Sequence, residues 1–269
     1  MSDAKEGPEN ASPSGTATVS LSIDGETYSA RIEVPTGPVP LGRLLPAFRS
    51  VAESVVSVAT ARVESAGERI SCARGCGACC RQLVPIAEVE ARTVRDVIAE
   101  MPGARRSLIR ARFEEARRRL EAAGLLGRLQ DRERLGENER RELGLEYFRQ
   151  GIACPFLEDE ACSIYADRPI ACREYLVTSP AENCARPSAD TVRMVKLPAK
   201  AWLAVARTGA APADRATRWV PLVLAPEWAD AHPDGTPQRP GPDLLREFFE
   251  QLARKTKQIP SNPESVPID

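Results

Sequence analysis

Apolar side chains recur along this chain with two periods, and the changes of period divide it into elements. Val19, Leu21 and Ile23 alternate with polar residues, as do Tyr28, Ala30, Ile32 and Val34, on either side of Asp24-Gly25. Alternation around a turn pair that favours positive φ predicts a β-hairpin within residues 16–38. After Pro35-Thr36-Gly37-Pro38 the period becomes helical. Leu41, Leu44, Leu45, Phe48, Val51, Val55, Val58 and Ala59 share one face up to Gly67. Ile86, Val89, Val94, Val97, Ile98 and Met101 predict a second helix; Leu108, Ile109, Phe113, Ala116 and Leu120 predict a third, with Pro102-Gly103 between them. Glu137 to Gln150 predicts another, and Gly151 stands where a left-handed C-cap would close it. Beyond Asp190 the pattern predicts a short strand from Val192 to Leu197, a helix from Ala199 to Arg207 and a weaker apolar segment from Trp219 to Trp228. Pro233 to Pro242 reads as a Pro/Gly linker. Asp243 to Lys257 reads as an amphipathic helix carrying Leu244, Leu245, Phe248, Phe249 and Leu252, which buries its apolar stripe against its own domain.

The expected fold is therefore mainly α, with a little β. A disordered tail (1–15) precedes the hairpin (16–38), and a helical domain follows over 39–232. The linker (233–242), the last helix (243–257) and a loose tail (258–269) complete the chain. With 42% apolar and 28% charged residues the composition is that of a folded soluble protein. Lys+Arg of 37 against Asp+Glu of 38 leaves a net charge of -1, which supplies no field for nucleic acid or an anionic membrane. The N-terminal residues lack a signal-peptide pattern, and no apolar run of about 18 residues suggests a membrane span. A cytoplasmic location is expected, and a protein partner is left open.

Chemistry enters with eight cysteines, all between residues 72 and 184. In a reducing compartment such a set points to metal rather than to disulfides. Cys72-x3-Cys76-x2-Cys79-Cys80 places four thiols in one short loop, and Cys154, Cys162, Cys172 and Cys184 follow from a distant segment. Thiolates are the soft ligands that zinc and iron–sulfur clusters take, and close pairs let two sulfurs approach one centre. Adjacent residues point in different directions, so Cys79 and Cys80 can serve one centre or two. The single histidine, His232, is remote in sequence from every cysteine, which argues against mixed Cys/His ligation and histidine-based catalysis. Arg74, Arg81, Arg168 and Arg173 lie within a few residues of a cysteine and would ease thiolate repulsion. Tyr165 and Tyr175 flank the later cysteines, as groups that hydrogen-bond ligating sulfurs do. The run Arg117-Arg118-Arg119 is matched by Glu114, Glu115 and Glu121 at helical spacing and reads as a solvated face.

Together with the Cys-Cys pair, the string Cys154-Pro155-Phe156-Leu157, Cys162-Ser163-Ile164-Tyr165, Arg168-Pro169, Cys172-Arg173 resembles the YkgJ-type cysteine-cluster family over residues 70–186. That family is described as zinc- or iron-chelating, and the first gap here is x3 where the family often has x2. The resemblance implies a protein that holds Zn2+ or an iron–sulfur cluster on its cysteines, as a redox or accessory module. It extends to flagellin lysine N-methylases, which makes a cluster-dependent lysine N-methyltransferase the alternative. Against that alternative, no glycine-rich loop between strand and helix offers a site for S-adenosylmethionine. The Cys72, Cys76, Cys79 spacing also looks like a radical S-adenosylmethionine motif. Ala78 stands where such enzymes carry an aromatic, and the chain that follows reads as helices rather than a β/α barrel.

Overall fold

The computed structural model describes residues 13–23, 26–188, 190–209 and 217–254. Strand β1 (Ser14–Ile23) pairs antiparallel with β2 (Glu26–Pro35), with Ile23 opposite Glu26. The hairpin is the expected one, and its Asp24-Gly25 turn lies outside the described residues, as do the two expected tails for most of their length. After β3 (Pro38–Val39) and a 3-10 turn at Leu41–Leu44 comes α1 (Leu45–Ser65), with Pro46 in its first turn, where the missing N–H has no partner to lose.

The cysteine loop leads into β4 (Pro85–Ala87), α2 (Glu88–Glu100), α3 (Gly103–Ala122), α4 (Leu126–Gln130) and α5 (Glu137–Arg149). Gly151 caps α5 with φ at 58°. The second cysteine segment holds β5 (Leu157–Glu158), β6 (Ala161–Cys162) and α6 (Ile170–Glu174). Then follow α7 (Ala201–Arg207), β7 (Trp219–Pro221), α8 (Ala225–Ala231), β8 (Arg239–Pro240) and α9 (Gly241–Ala253). Mainly helical with small antiparallel strand pairs, the fold is of the expected class.

Burial divides the interior into three clusters. Leu44, Leu45 and Phe48 of the α1 region pack with Val205 of α7 and Leu244, Leu245 and Phe248 of α9, and the Phe48 and Phe248 rings stack at 4.3 Å. Ile86, Val94, Ile98, Ile109, Phe113, Phe156, Ile164 and Val220 make a second cluster, and Cys154, Cys162 and Cys172 pack against its surface. Leu120, Leu129, Leu143 and Tyr147 centre the third, between α3 and α5. The segment Leu41–Ser65 is long and apolar enough to cross a membrane by length and composition, which qualifies the expectation of no such span. In this fold Phe48, Ala52, Val55 and Ala59 turn that surface into the protein.

Two elements differ from the sequence expectation. Ile86 opens no helix: it pairs with Val220 across β4 and β7, and the helix starts two residues later. Val192 to Leu197 is not a strand. Its neighbour is the bent loop 176–178, which supports one bridge, Val177 with Met194, and Pro198 then removes a donor. The expected linker also carries structure, since Arg239–Pro240 pairs with Pro38–Val39. The arginine run behaves as expected: Arg117 pairs with Glu121 and Glu227, Arg118 with Glu115, and Arg119 donates to the Gln150 carbonyl.

Candidate metal centre

All eight cysteines are free thiols. Six of them, Cys76, Cys79, Cys80, Cys154, Cys162 and Cys172, line one cavity of about 490 Å³ whose remaining wall is largely apolar. Cys72 and Cys184 do not line it.

The first segment is positioned by polar ties. Gly75 turns the chain with φ at 89°, and a 3-10 helix at Ala78–Arg81 carries Cys79 and Cys80. At its start, Ser71 donates its N–H to the Val177 carbonyl at 2.9 Å, and the Val177 N–H donates to the Cys72 sulfur at 3.4 Å. At its end, the Cys154 N–H donates to the Cys80 carbonyl at 2.7 Å. Arg81 grips Glu160 with two hydrogen bonds of 2.9 and 2.6 Å. Gly77 is pressed against that partner. A Cβ there would stand 2.5 Å from Glu160 Oε2 and 2.7 Å from Leu157 Cδ1, so only glycine fits without displacement.

The second segment rests on the core. β5 and β6 form a two-residue hairpin through Asp159 and Glu160, both in the left-handed region (φ 47° and 56°), which sets Cys162 opposite Leu157. Ile170, fully buried, fixes α6 and with it Cys172. Glu90 accepts the N–H of Ile170 at 2.8 Å and that of Ala87 at 3.1 Å, joining the starts of α6 and α2. Glu174, also buried, accepts the N–H of Ala201 at 2.5 Å, and burial pushes its carboxyl up to about 7.

Burial raises Cys72 and Cys162, lifts Cys154 to about 12 and Cys184 to about 11, and holds Cys172 well above the usual range. Cys79 is the exception. The Cys80 thiol donates to it, and this bond, with a smaller contribution from the Arg168 charge, lowers Cys79 to about 7, while the same bond and burial push Cys80 up.

The expected supporting residues divide. Arg168 lies over the Tyr165 ring at 3.8 Å, its Nε buried without a partner among the described residues, and both line the cavity. Tyr175 lines it too, with its hydroxyl accepting from Gln82 at 3.0 Å. Arg173 turns instead to Glu53 at 2.5 Å and to the carbonyls of Arg168 and Ala166. His232 stacks on Trp228 and does not line the cavity. Glu90, Glu160 and Gln82 were not expected. Glu90 had a visible signal, because it interrupts a stripe at four-residue spacing, Ile86, Val94 and Ile98, all of which are buried.

Among the described residues no three Cys, His, Asp or Glu side chains stand close enough together to hold an ion. By donor chemistry the residues fit a thiophilic metal: six soft sulfurs on one cavity, no histidine among its lining residues, and a cationic Arg168 beside Cys79 and Cys162.

Among known families, residues 71–191 match the CxxCxxCC model, described as a "putative zinc- or iron-chelating domain". No curated protein and no solved structure matches the chain. The relation to flagellin lysine N-methylases has no such match behind it.

Proposed function

Taking residues 71–191 as a domain of that zinc- or iron-chelating family, we propose that the chain is a metal-binding module, its thiolates supplied by Cys72, Cys76, Cys79, Cys80, Cys154, Cys162, Cys172 and Cys184. One observation carries the reading: cysteines from two segments far apart in sequence face one cavity. Zinc–sulfur bonds are about 2.3 Å long, and a closed zinc shell leaves no space between its ligands. A cavity of about 490 Å³ that six thiols share with an apolar wall offers more room than one zinc shell needs, so the finer reading is an iron–sulfur cluster serving redox or accessory work. Neither of the buried carboxylates, Glu90 and Glu174, opens onto the cavity, and the reading assigns no catalytic residue. It includes a reducing compartment, which keeps the thiols available, and no nucleic-acid or membrane partner.

Anaerobic purification followed by absorption spectroscopy and elemental analysis tests it. Iron with sulfide and a broad band near roughly 400 nm supports the cluster. A colourless protein with bound zinc overturns the finer reading and keeps the coarser one. Failure to retain or take up either metal overturns both.

A further inference from the structure

Resting on that reading, we infer that the cavity holds an organic ligand beside its metal: a small monocarboxylic acid with an apolar body, its carboxylate held by Arg168.

The cavity has two kinds of wall. Its thiols come from the two cysteine segments, whereas Leu83, Val84, Pro85 and Leu222 line it from the β4 and β7 strand pair and its flanks. That part is fixed without help from any cysteine. Pro85 lies opposite Pro221, and the Leu222 N–H donates to the Val84 carbonyl at 2.9 Å. A thiophilic metal takes sulfur and leaves such a wall unused, because alkyl side chains offer it no lone pair. A cavity of about 490 Å³, largely apolar with a few polar groups, has the size and make-up that small organic ligands occupy.

Arg168 supplies the polar end. The arginines around it are already paired: Arg81 with Glu160, Arg173 with Glu53 and Arg49 with Asp167. Arg168 pairs with no carboxylate among the described residues, and its buried Nε has no hydrogen-bond partner there. A buried donor left unpaired is costly, and a carboxylate that accepts two parallel N–H bonds from one guanidinium edge removes the cost. Stacking on Tyr165 at 3.8 Å occupies one face of the guanidinium and leaves its in-plane donors free. Tyr165 is 60% exposed while lining the cavity, so this cation stands where the cavity meets solvent and can receive an anion from it. The charge suits a single negative group. Of the other charged side chains on the wall, Glu160 is taken by Arg81 and Arg74 is exposed, and metal-bound thiolates add negative charge that a dianion would have to face.

The test is calorimetry of the full chain, purified anaerobically with its metal, against octanoate, its shorter homologues down to acetate, and octan-1-ol. Octanoate is expected to bind one-to-one, and each methylene taken from it to weaken binding by up to roughly fourfold. Octan-1-ol should bind at least roughly tenfold more weakly than octanoate. Arg168→Gln should keep its metal by elemental analysis and lose the preference for octanoate over the alcohol. Arg168→Lys, which keeps the charge but not the planar fork, should fall between the two. Should Arg168→Gln fail to fold, the comparison with the alcohol in the parent chain decides. No octanoate binding, affinity that ignores chain length, equal affinity for acid and alcohol, or an unchanged octanoate affinity in folded Arg168→Gln overturns the inference while the metal-binding reading stands. Loss of metal from folded Arg168→Gln overturns it too, since Arg168 would then serve the thiolates. A parent chain without metal sinks the metal-binding reading, and this inference with it.

Discussion

The two cysteine segments rest on different foundations. Around 154–172 the chain is nailed down by apolar burial: Phe156 and Ile170 are essentially inaccessible and Ile164 nearly so. Around 72–80 there is no such footing. The 3-10 helix Ala78–Arg81 buries none of its residues, and the segment is held by the ties of Ser71 and Cys72 to Val177, by the Cys154 N–H on the Cys80 carbonyl and by the Arg81 clasp on Glu160. Hydrophobic burial scales with the area removed from water and does not depend on a ligand, whereas exposed polar ties are worth little each. One half of the site is thus held by the core, and the other by polar ties alone. In the same way, metal bound at such a site adds its binding energy to folding, and that gain falls mostly on the weaker half.

The contrast can be broken first at its strong side. Ile170→Ala removes a fully buried side chain at the start of α6 and is expected to cost about 2–5 kcal/mol of global stability, read by urea unfolding of the metal-free chain. A loss below 1 kcal/mol would show that the core does not carry this segment. A smaller effect comes from pH. Thiols raised by burial bind their protons more tightly in the fold than in the unfolded chain, so their contribution is complete below the ordinary value of 9.0. It is lost as pH rises through about 11 for Cys184 and about 12 for Cys154. The metal-free chain should therefore lose thermal stability steadily above pH 9; an unchanged melting temperature would mean that these thiols are hydrated. The smallest effect is at the weak side. Glu160→Ala should change global stability by only about 0.2–1 kcal/mol, since the pair with Arg81 is half exposed. Amide exchange in residues 76–82 should nonetheless quicken, and its failure to do so would show that the clasp does not hold the loop.

Much of this was legible in the chain. Alternation located the hairpin, and the stripes of Leu45, Phe48 and Val55 and of Leu244, Leu245 and Phe248 located two helices that bury those faces. Cysteine spacing and the resemblance picked out the segment that the family model matches and six thiols that line one cavity. What the sequence could not show was tertiary. Ile86 belongs to a helical stripe by spacing and to a strand by its partner Val220, which lies far along the chain. Val192 to Leu197 has a strand's alternation and lacks a straight neighbour to pair with. Glu174 looks like a solvated charge until the bare N–H group it accepts, from Ala201, is known. That Cys184 stays off the cavity that Cys154 lines depends on the path of the loop at 177, for which no local pattern exists.

The turn between β5 and β6 has a consequence for anyone who would redesign this protein. Asp159 and Glu160 hold left-handed backbone that Asn-Gly would adopt with less strain. An optimiser scoring that turn alone would install the easier pair. It would gain a better hairpin and discard the carboxylate that Arg81 grips, detaching the loop of Cys79 and Cys80 from the wall that carries Cys162. At this corner, the sequence that folds most comfortably and the sequence that keeps the thiols facing one another are different sequences.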